Sequence, residues 1–95
     1  MLDQYPIYDP MVACRTLEGE AVIVHSRTRR MHVLDPVGTF IWESCARGDL
    51  TLRQVAEALG ESYEVESVEA QRDVLSFVEE LQGERLLILQ DEPAG

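Results

Sequence analysis

The chain has no lysine, so all eight of its permanently cationic residues are arginines, set against eighteen aspartates and glutamates. The formal net charge at pH 7 is −10. Since proteins hold nucleic acids chiefly through cations that neutralise phosphates, this balance disfavours a nucleic-acid partner. The acidic excess is concentrated in residues 51–95, which carry eleven acidic residues and three arginines. One local cluster of positive charge is formed by Arg27, Arg29 and Arg30.

Long apolar runs and an export signal are also missing. No run reaches the roughly 18 apolar residues that predict a membrane-spanning helix, and the first ten residues lack the basic and apolar regions of a signal peptide. With two cysteines and no export signal, we expect reduced thiols in a cytoplasmic protein that has no membrane partner. The 95 residues are expected to form one domain with a modest core.

The sequence contains no recognisable catalytic motif. It has no glycine-rich phosphate loop, and no local motif pairs a cysteine with a histidine as nucleophile and base. Cys14, His25, His32 and Cys45 lack the short paired spacings of metal ligands. We therefore expect no enzymatic activity, no metal and no cofactor, and we interpret both cysteines as buried structural thiols. The function must then come from a binding surface.

The N-terminal half has the pattern of three short strands. Two prolines interrupt any regular ladder in residues 1–10, which are predicted to be an irregular lead-in. Strands are predicted over residues 11–17, 20–26 and 30–34, and their short connections favour an antiparallel meander. The third strand then has one neighbour, which leaves its other edge open.

The third strand runs directly into a helix predicted over residues 36–46. Asp35 offers a side-chain oxygen to the free amides of the first turn, as an N-cap does. Pro36 suits the first helical position, where no N–H is needed. The face predicted to be buried comprises Val37, Phe40, Ile41, Ser44 and Cys45, with Trp42 beside it.

A second helix and a C-terminal segment follow. Thr51 and Gln54 have the spacing of a capping box at the start of this helix, and Gly60 is predicted to end it. The apolar run at residues 86–89 fits either a short strand or a packed tail. Residues 90–95 are predicted to be a disordered tail.

The third helix, predicted over residues 67–82, has a broad apolar arc. At about 100° per residue, its apolar side chains spread over roughly half of the circumference. This arc fits a helix that only packs into the core, and it also fits one that adds the wall of a groove. The margin considered for such a wall carries Gln71 and Leu75, with Arg72 and Glu79 at its edge.

Several short motifs resemble, in order and spacing, those of one protein family. They are residues 15–20 (RTLEGE), 34–38 (LDPVG), Ile41-Trp42, Thr51, Val55, Asp73-Val74, Phe77, Leu81 and Leu86-Leu87. Over residues 11–89 the chain is similar to the PqqD family, which is named for coenzyme PQQ synthesis protein D and is also called the RiPP recognition element. Asp35 departs from the asparagine of many relatives, but both residue types cap helices.

The resemblance implies an α+β, winged helix-turn-helix-like fold, in which a three-stranded antiparallel sheet is followed by three helices. It also implies a non-catalytic chaperone that binds the leader of a ribosomally made precursor peptide. Such a protein presents the precursor to a modifying enzyme, which in the PQQ pathway is a radical SAM enzyme. The leader is expected to add a strand to the open edge, facing the third helix. The peptide-binding residues implied are Arg30, Met31, His32, Val33, Gln71, Arg72, Leu75, Val78 and Glu79.

Three points stay open from the sequence. Strand alternation does not decide whether Met31 and Val33 or His32 and Leu34 point inward. An acidic adaptor for a folded protein is an alternative function. A winged-helix DNA-binding domain is less favoured, because residues 64–84 carry seven acidic residues and one arginine. An exposed edge strand is compatible with a monomer and with a homodimer.

Overall fold

The computed structural model of the chain describes residues 1–94. Gly95, the last residue of the predicted tail, lies outside this range. None of the helices described is both long and apolar enough to cross a membrane. The elements are β1 (Tyr5–Tyr8), β2 (Val12–Leu17), β3 (Glu20–His25), β4 (Met31–Val33), α1 (Pro36–Ser44), α2 (Leu52–Tyr63), α3 (Ser67–Gly83) and β5 (Leu87–Gln90).

Strands β2, β3 and β4 pair in that order as an antiparallel sheet, which confirms the predicted meander. The β2–β3 turn is formed by Glu18 and Gly19, whose φ angles are 52° and 81°. Turns with two positive φ values match the twist of the flanking strands, and glycine adopts such an angle without steric cost. Helices α1, α2 and α3 follow this sheet, so the predicted α+β arrangement of three strands and three helices is confirmed.

Side-chain caps begin α1 and α2 as predicted. Asp35 Oδ1 accepts a hydrogen bond from Gly38 N at 2.7 Å, and Pro36 is the first residue of α1. Thr51 Oγ1 accepts from Gln54 N at 3.1 Å, and Gln54 Oε1 accepts from Thr51 N at 2.9 Å. These bonds satisfy first-turn amides that have no partner within the helix.

Helix α2 continues past Gly60 to Tyr63, so the predicted end of this helix is wrong. Its C-cap is Glu64, which adopts a left-handed conformation (φ 53°) and donates its backbone N–H to Gly60 O. Gly60 instead allows the backbone of Val65 to lie close to α2, since a Cβ at position 60 would be only 3.1 Å from Val65 O.

The buried face of α1 agrees with the prediction at Ile41 and Cys45 and differs from it at Val37. Val37 is 39% exposed, whereas Thr39 is buried and its Oγ1 accepts a hydrogen bond from Ala21 N at 2.8 Å. This bond joins α1 to β3 and fixes which side of the helix meets the sheet. The buried residues of α1 are Gly38, Thr39, Ile41 and Trp42.

One hydrophobic core lies between the three-stranded sheet and the helices. Trp42 is its largest side chain, and the Tyr8 ring stacks on it at a centroid distance of 3.9 Å. The Tyr8 hydroxyl donates to Trp42 O at 2.9 Å. Burial is the main cause that raises the pKa of Tyr8. Other fully buried side chains include Ile23, Ile41, Leu52, Leu59, Leu86 and Leu87.

The N-terminal segment contains a strand, so the predicted irregular lead-in over residues 1–10 is wrong. β1 pairs with β5 in a second, two-stranded antiparallel sheet. Asp9 N donates to Leu86 O at 3.0 Å. Because the backbone N–H groups of a strand alternate in direction, the N–H of Ile7 also points towards β5, and the backbone nitrogen of residue 6 points away from it. Pro6 fits this strand because its missing N–H lies on the outer edge.

The C-terminal segment also differs from the predicted tail. Gln90 is the last residue of β5, and Ala94 N donates to Gly48 O at 2.9 Å. The apolar run at residues 86–89, for which strand and packed tail were both open, lies mostly in β5 and has buried residues at Leu86 and Leu87.

Candidate functional site

The free edge of β4 is the first part of the candidate site. β4 pairs only with β3 among residues 1–94. Leu34 N donates to Ala21 O at 2.9 Å, and Arg30 O accepts from His25 N at 3.1 Å. Because backbone groups alternate in direction along a strand, those of residues 30, 32 and 34 face β3. The N–H and C=O groups of Met31 and Val33 therefore point away from the sheet and are free to bond another strand.

The side chains of β4 alternate between two environments. Met31 pairs with Val24 and Val33 with Val22, and both lie on the outer sheet face, where they are 65% and 57% exposed. His32 pairs with the buried Ile23 and points towards the helices. The question left open by the sequence is thereby answered: His32 and Leu34 point inward.

A groove runs between β4, the start of α1 and α3, and is here called the β4–α3 groove. It consists of two depressions of about 210 and 230 Å³. They share Asp35, Gly38, Phe77 and Glu80, so the groove is continuous. The first depression is completed by Val33, Leu34 and Leu81. The second is completed by Val37, Ile41, Asp73 and Ser76.

Gly38 lets α1 and α3 approach each other at the floor of the groove. A Cβ at this position would lie 3.0 Å from Phe77 Cε1 and 3.1 Å from Asp35 Oδ1. Both distances are shorter than ordinary van der Waals contact, so a side chain would displace the Phe77 ring. The width of the groove thus depends on a glycine at this position.

Charged side chains mark the two ends of the groove. Near the start of β4, Arg30 Nη1 lies 3.2 Å and His32 Nε2 lies 3.8 Å from Glu84 Oε2. The Arg30 side chain is 65% exposed, so this ion pair contributes little to stability and is screened by salt. At the other end, near α1, the charged lining residues are acidic.

The structure brings together only part of the predicted peptide-binding set. Arg30, Met31, His32 and Val33 lie on or beside β4, and Val33 lines the groove. The five predicted residues of α3 do not line the groove. Gln71 lines a separate depression of about 260 Å³ against α2. Val78 is buried and Leu75 is half-buried in the core, while Arg72 and Glu79 are exposed.

The predicted residues of α3 do not lie on the margin of this helix that lines the groove. The buried stripe of this helix is centred on Val74 and Val78, and the apolar arc has a margin on each side of it. The sequence did contain a usable signal for the other margin, because acidic or aromatic residues recur there at helical spacing. The residues that face β4 or the groove are Asp73, Phe77, Glu80, Leu81 and Glu84.

The two cysteines differ in environment, so the interpretation of both as buried thiols is correct for only one of them. Cys14 is exposed and Cys45 is buried, and both are free thiols. Burial raises the pKa of the Cys45 thiol from 9.0 to about 12, because a thiolate is poorly solvated there. Within residues 1–94, no three His, Cys, Asp or Glu side chains are grouped as a metal site.

Two solved structures share the fold of this chain. "TbiB1 in Complex with the TbiA(beta) Leader Peptide" superposes with a TM-score of 0.81 at 26% sequence identity, covering 85% of this chain and 93% of that chain. "Lasso peptide synthetase B1 complexed with the leader peptide" has a TM-score of 0.79 at 21% identity and covers 88% of this chain and 98% of its own. At this lower identity, the second similarity shows the fold alone.

No curated protein matches the chain. The family model described as Coenzyme PQQ synthesis protein D (PqqD) does match, over residues 20–87. That match extends from β3 to the first residue of β5 and includes all three helices. It spans well over half of the 95 residues, and the chain therefore belongs to the PqqD family.

Proposed function

We propose that this protein is a non-catalytic chaperone that binds the leader segment of a ribosomally made precursor peptide by strand addition to β4. The observation that carries the proposal is the free edge of Met31 and Val33 beside a continuous groove. The likeness to TbiB1, which is bound to a leader peptide, supports the same ligand class. An added strand gains main-chain hydrogen bonds from such an edge, and adjacent side-chain depressions supply sequence preference.

The proposed site combines the β4 edge with a corrected helix face. Arg30, Met31, His32 and Val33 remain the strand side of the site. Phe77, Glu80 and Leu81 replace the predicted residues of α3, since they line the depression next to Val33. The acidic surface of α3 disfavours the alternative of DNA binding, because phosphates would repel it.

The proposal includes a second partner, the enzyme that modifies the bound precursor, for which a radical SAM enzyme is the candidate. The chaperone holds the leader while the remainder of the precursor reaches that enzyme, so no chemical step is assigned to this chain. Because precursors of this kind are made by ribosomes, we assign the activity to the cytoplasm. A monomer has its β4 edge available to a leader peptide. A homodimer also has one available edge per chain, unless the two β4 edges pair with each other to form the dimer.

A proline at position 33 tests strand addition at β4. Val33→Pro removes an N–H that faces the open edge, and no hydrogen bond to β3 is lost. The ligand is a precursor leader peptide labelled for fluorescence anisotropy. We expect the affinity to fall about tenfold, from one lost backbone hydrogen bond and poorer strand approach.

Cys14→Pro is the matched control on the opposite edge of the sheet. Cys14 pairs with Ile23, whose backbone groups face β4, so the Cys14 N–H also points to an outer edge. This variant should bind the leader like the unmodified protein. Unchanged affinity in a folded Val33→Pro variant would contradict the proposal, and a selective loss in Cys14→Pro would move the ligand to β2.

A further inference from the structure

We propose that the β4–α3 groove selects a leader with a basic side chain, and that the 230 Å³ depression at the start of α1 receives this lysine or arginine. The inference rests on the proposed function and specifies the chemical class of leader that the groove takes. The charge class follows from which side of α3 faces β4.

Three carboxylates, those of Asp35, Asp73 and Glu80, line this depression. Among the described residues that line it, none is lysine or arginine. Each ion pair found within residues 1–94 involves other acidic residues, namely Glu84, Asp49 and Asp3. Asp35, Asp73 and Glu80 are all exposed, and no arginine of the chain forms an ion pair with them among the described residues, so they are open to a cation on the ligand.

The floor of the depression suits the rest of a long basic side chain. Phe77, Ile41 and Val37 supply apolar and aromatic surface next to the three carboxylates. Lysine and arginine lay their methylene groups on apolar surface and keep the charged group at its edge, and an aromatic ring face also attracts a cation. A ligand glutamate would meet the same apolar surface but would be repelled by the carboxylates.

The position and size of the depression point to a peptide side chain. It shares Asp35, Gly38, Phe77 and Glu80 with the depression beside Val33, so a strand added to β4 runs past it. Its volume of about 230 Å³ lies below the roughly 300–1,000 Å³ of small-molecule sites. An anion at the start of α1 is disfavoured, because Asp35 Oδ1 already accepts the Gly38 N–H at 2.7 Å.

Selection from a displayed library of random 12-residue peptides tests the charge of the ligand independently of any one leader sequence. The 95-residue protein is the bait, and amide chemical shifts of Met31 and Val33 identify the selected peptides that bind at β4. We expect Lys or Arg to be enriched at one position of those peptides. Replacing that residue with Glu should weaken binding at least tenfold at low salt, and the loss should shrink at 0.5 M salt because exposed charge pairs are screened.

Two double variants provide the matched comparison. Asp73→Asn/Glu80→Gln removes two charges that line the groove, whereas Glu79→Gln/Glu92→Gln removes two charges that do not line it, and all four residues are exposed. Only the first should abolish the enrichment of basic residues. Peptides that bind at β4 with no basic preference, or with the same preference in both variants, would overturn this inference and leave strand addition standing. Selected peptides that leave the β4 amides unshifted would overturn the proposed function itself.

Discussion

At the scale of single residues, the two cysteines provide contrasting probes of the fold. Cys45 is 1% exposed, and its Sγ donates to Ile41 O at 3.2 Å. Burial raises its pKa to about 12, and the thiolate is the species that reacts with thiol reagents. We therefore expect the folded protein at pH 8 to react rapidly at Cys14 and not at Cys45, and the urea-unfolded protein to react at both.

A colorimetric thiol titration measures this difference, and Cys14→Ser is the control that should show no rapid reaction when folded.

The same pKa shift sets a pH dependence of stability. Unfolded Cys45 ionises near pH 9.0, while the folded thiol keeps its proton until about pH 12. The unfolded state therefore loses the proton first, and this group lowers the free energy of unfolding as pH rises from 9 to 12. Rapid labelling of Cys45 in the folded protein would contradict its buried position.

At the scale of elements, a single buried hydroxyl joins α1 to the sheet. Thr39 Oγ1 accepts the Ala21 N–H at 2.8 Å and lies 3.4 Å from Leu34 O, within the chain that links β4 to α1. Thr39→Val keeps the shape of the side chain but leaves the buried amide of Ala21 without a partner. We expect the free energy of unfolding to fall by about 1–3 kcal/mol.

Urea denaturation followed by Trp42 fluorescence measures this loss, and Thr16→Val is the matched control. Thr16 Oγ1 donates to Glu43 Oε2 at 2.6 Å, but this contact is exposed. Water can replace the lost partner there, so the control should cost less than about 1 kcal/mol. Equal effects in the two variants would contradict a special role for the Thr39 bond.

Elements fixed by local interactions were predictable from the sequence, whereas those fixed by distant contacts were not. The caps of Asp35 and Thr51 involve partners only three residues away, so residue spacing was sufficient to find them. The pairing of β1 with β5 joins segments at opposite ends of the chain. No local rule states that the ladder leaves position 6 without a hydrogen bond, so Pro6 and Pro10 indicated an irregular segment.

The candidate site was predictable in the same partial way. The open edge of β4 follows from counting strands in a meander, and it is the part that the sequence located. The choice between the two margins of α3 depends on how the helix is rotated against β4. The apolar arc by itself does not fix that rotation. Gln71 was therefore selected, although Phe77 lies in the groove on the margin where acidic or aromatic residues recur at helical spacing.

At the scale of the whole molecule, the N-terminal segment lies outside the family match and connects several parts of the chain. β1 precedes residue 20, where that match begins. The residues before β1 contact α2. Gln4 O accepts a hydrogen bond from Leu52 N, and Leu2 O accepts one from Arg53 N, both at 2.9 Å. The segment thus caps the start of α2, pairs with β5 and covers one face of Trp42.

Deletion of residues 1–9 should consequently destabilise the entire domain. The deletion removes the Tyr8 ring from Trp42, one strand of the two-stranded sheet and two backbone caps of α2. Loss of a fully buried aromatic side chain costs about 3–5 kcal/mol; Tyr8 is half-buried, so its ring accounts for only part of the loss and the strand pairing and caps add to it. Small domains have only about 5–15 kcal/mol of stability in total. We expect the free energy of unfolding, measured by urea denaturation, to decrease by at least about 3 kcal/mol.

Tyr8→Phe is the control. It keeps the ring and loses one hydrogen bond, so it should lower the free energy of unfolding by about 1 kcal/mol. A truncated protein as stable as the full chain would contradict this structural role for β1.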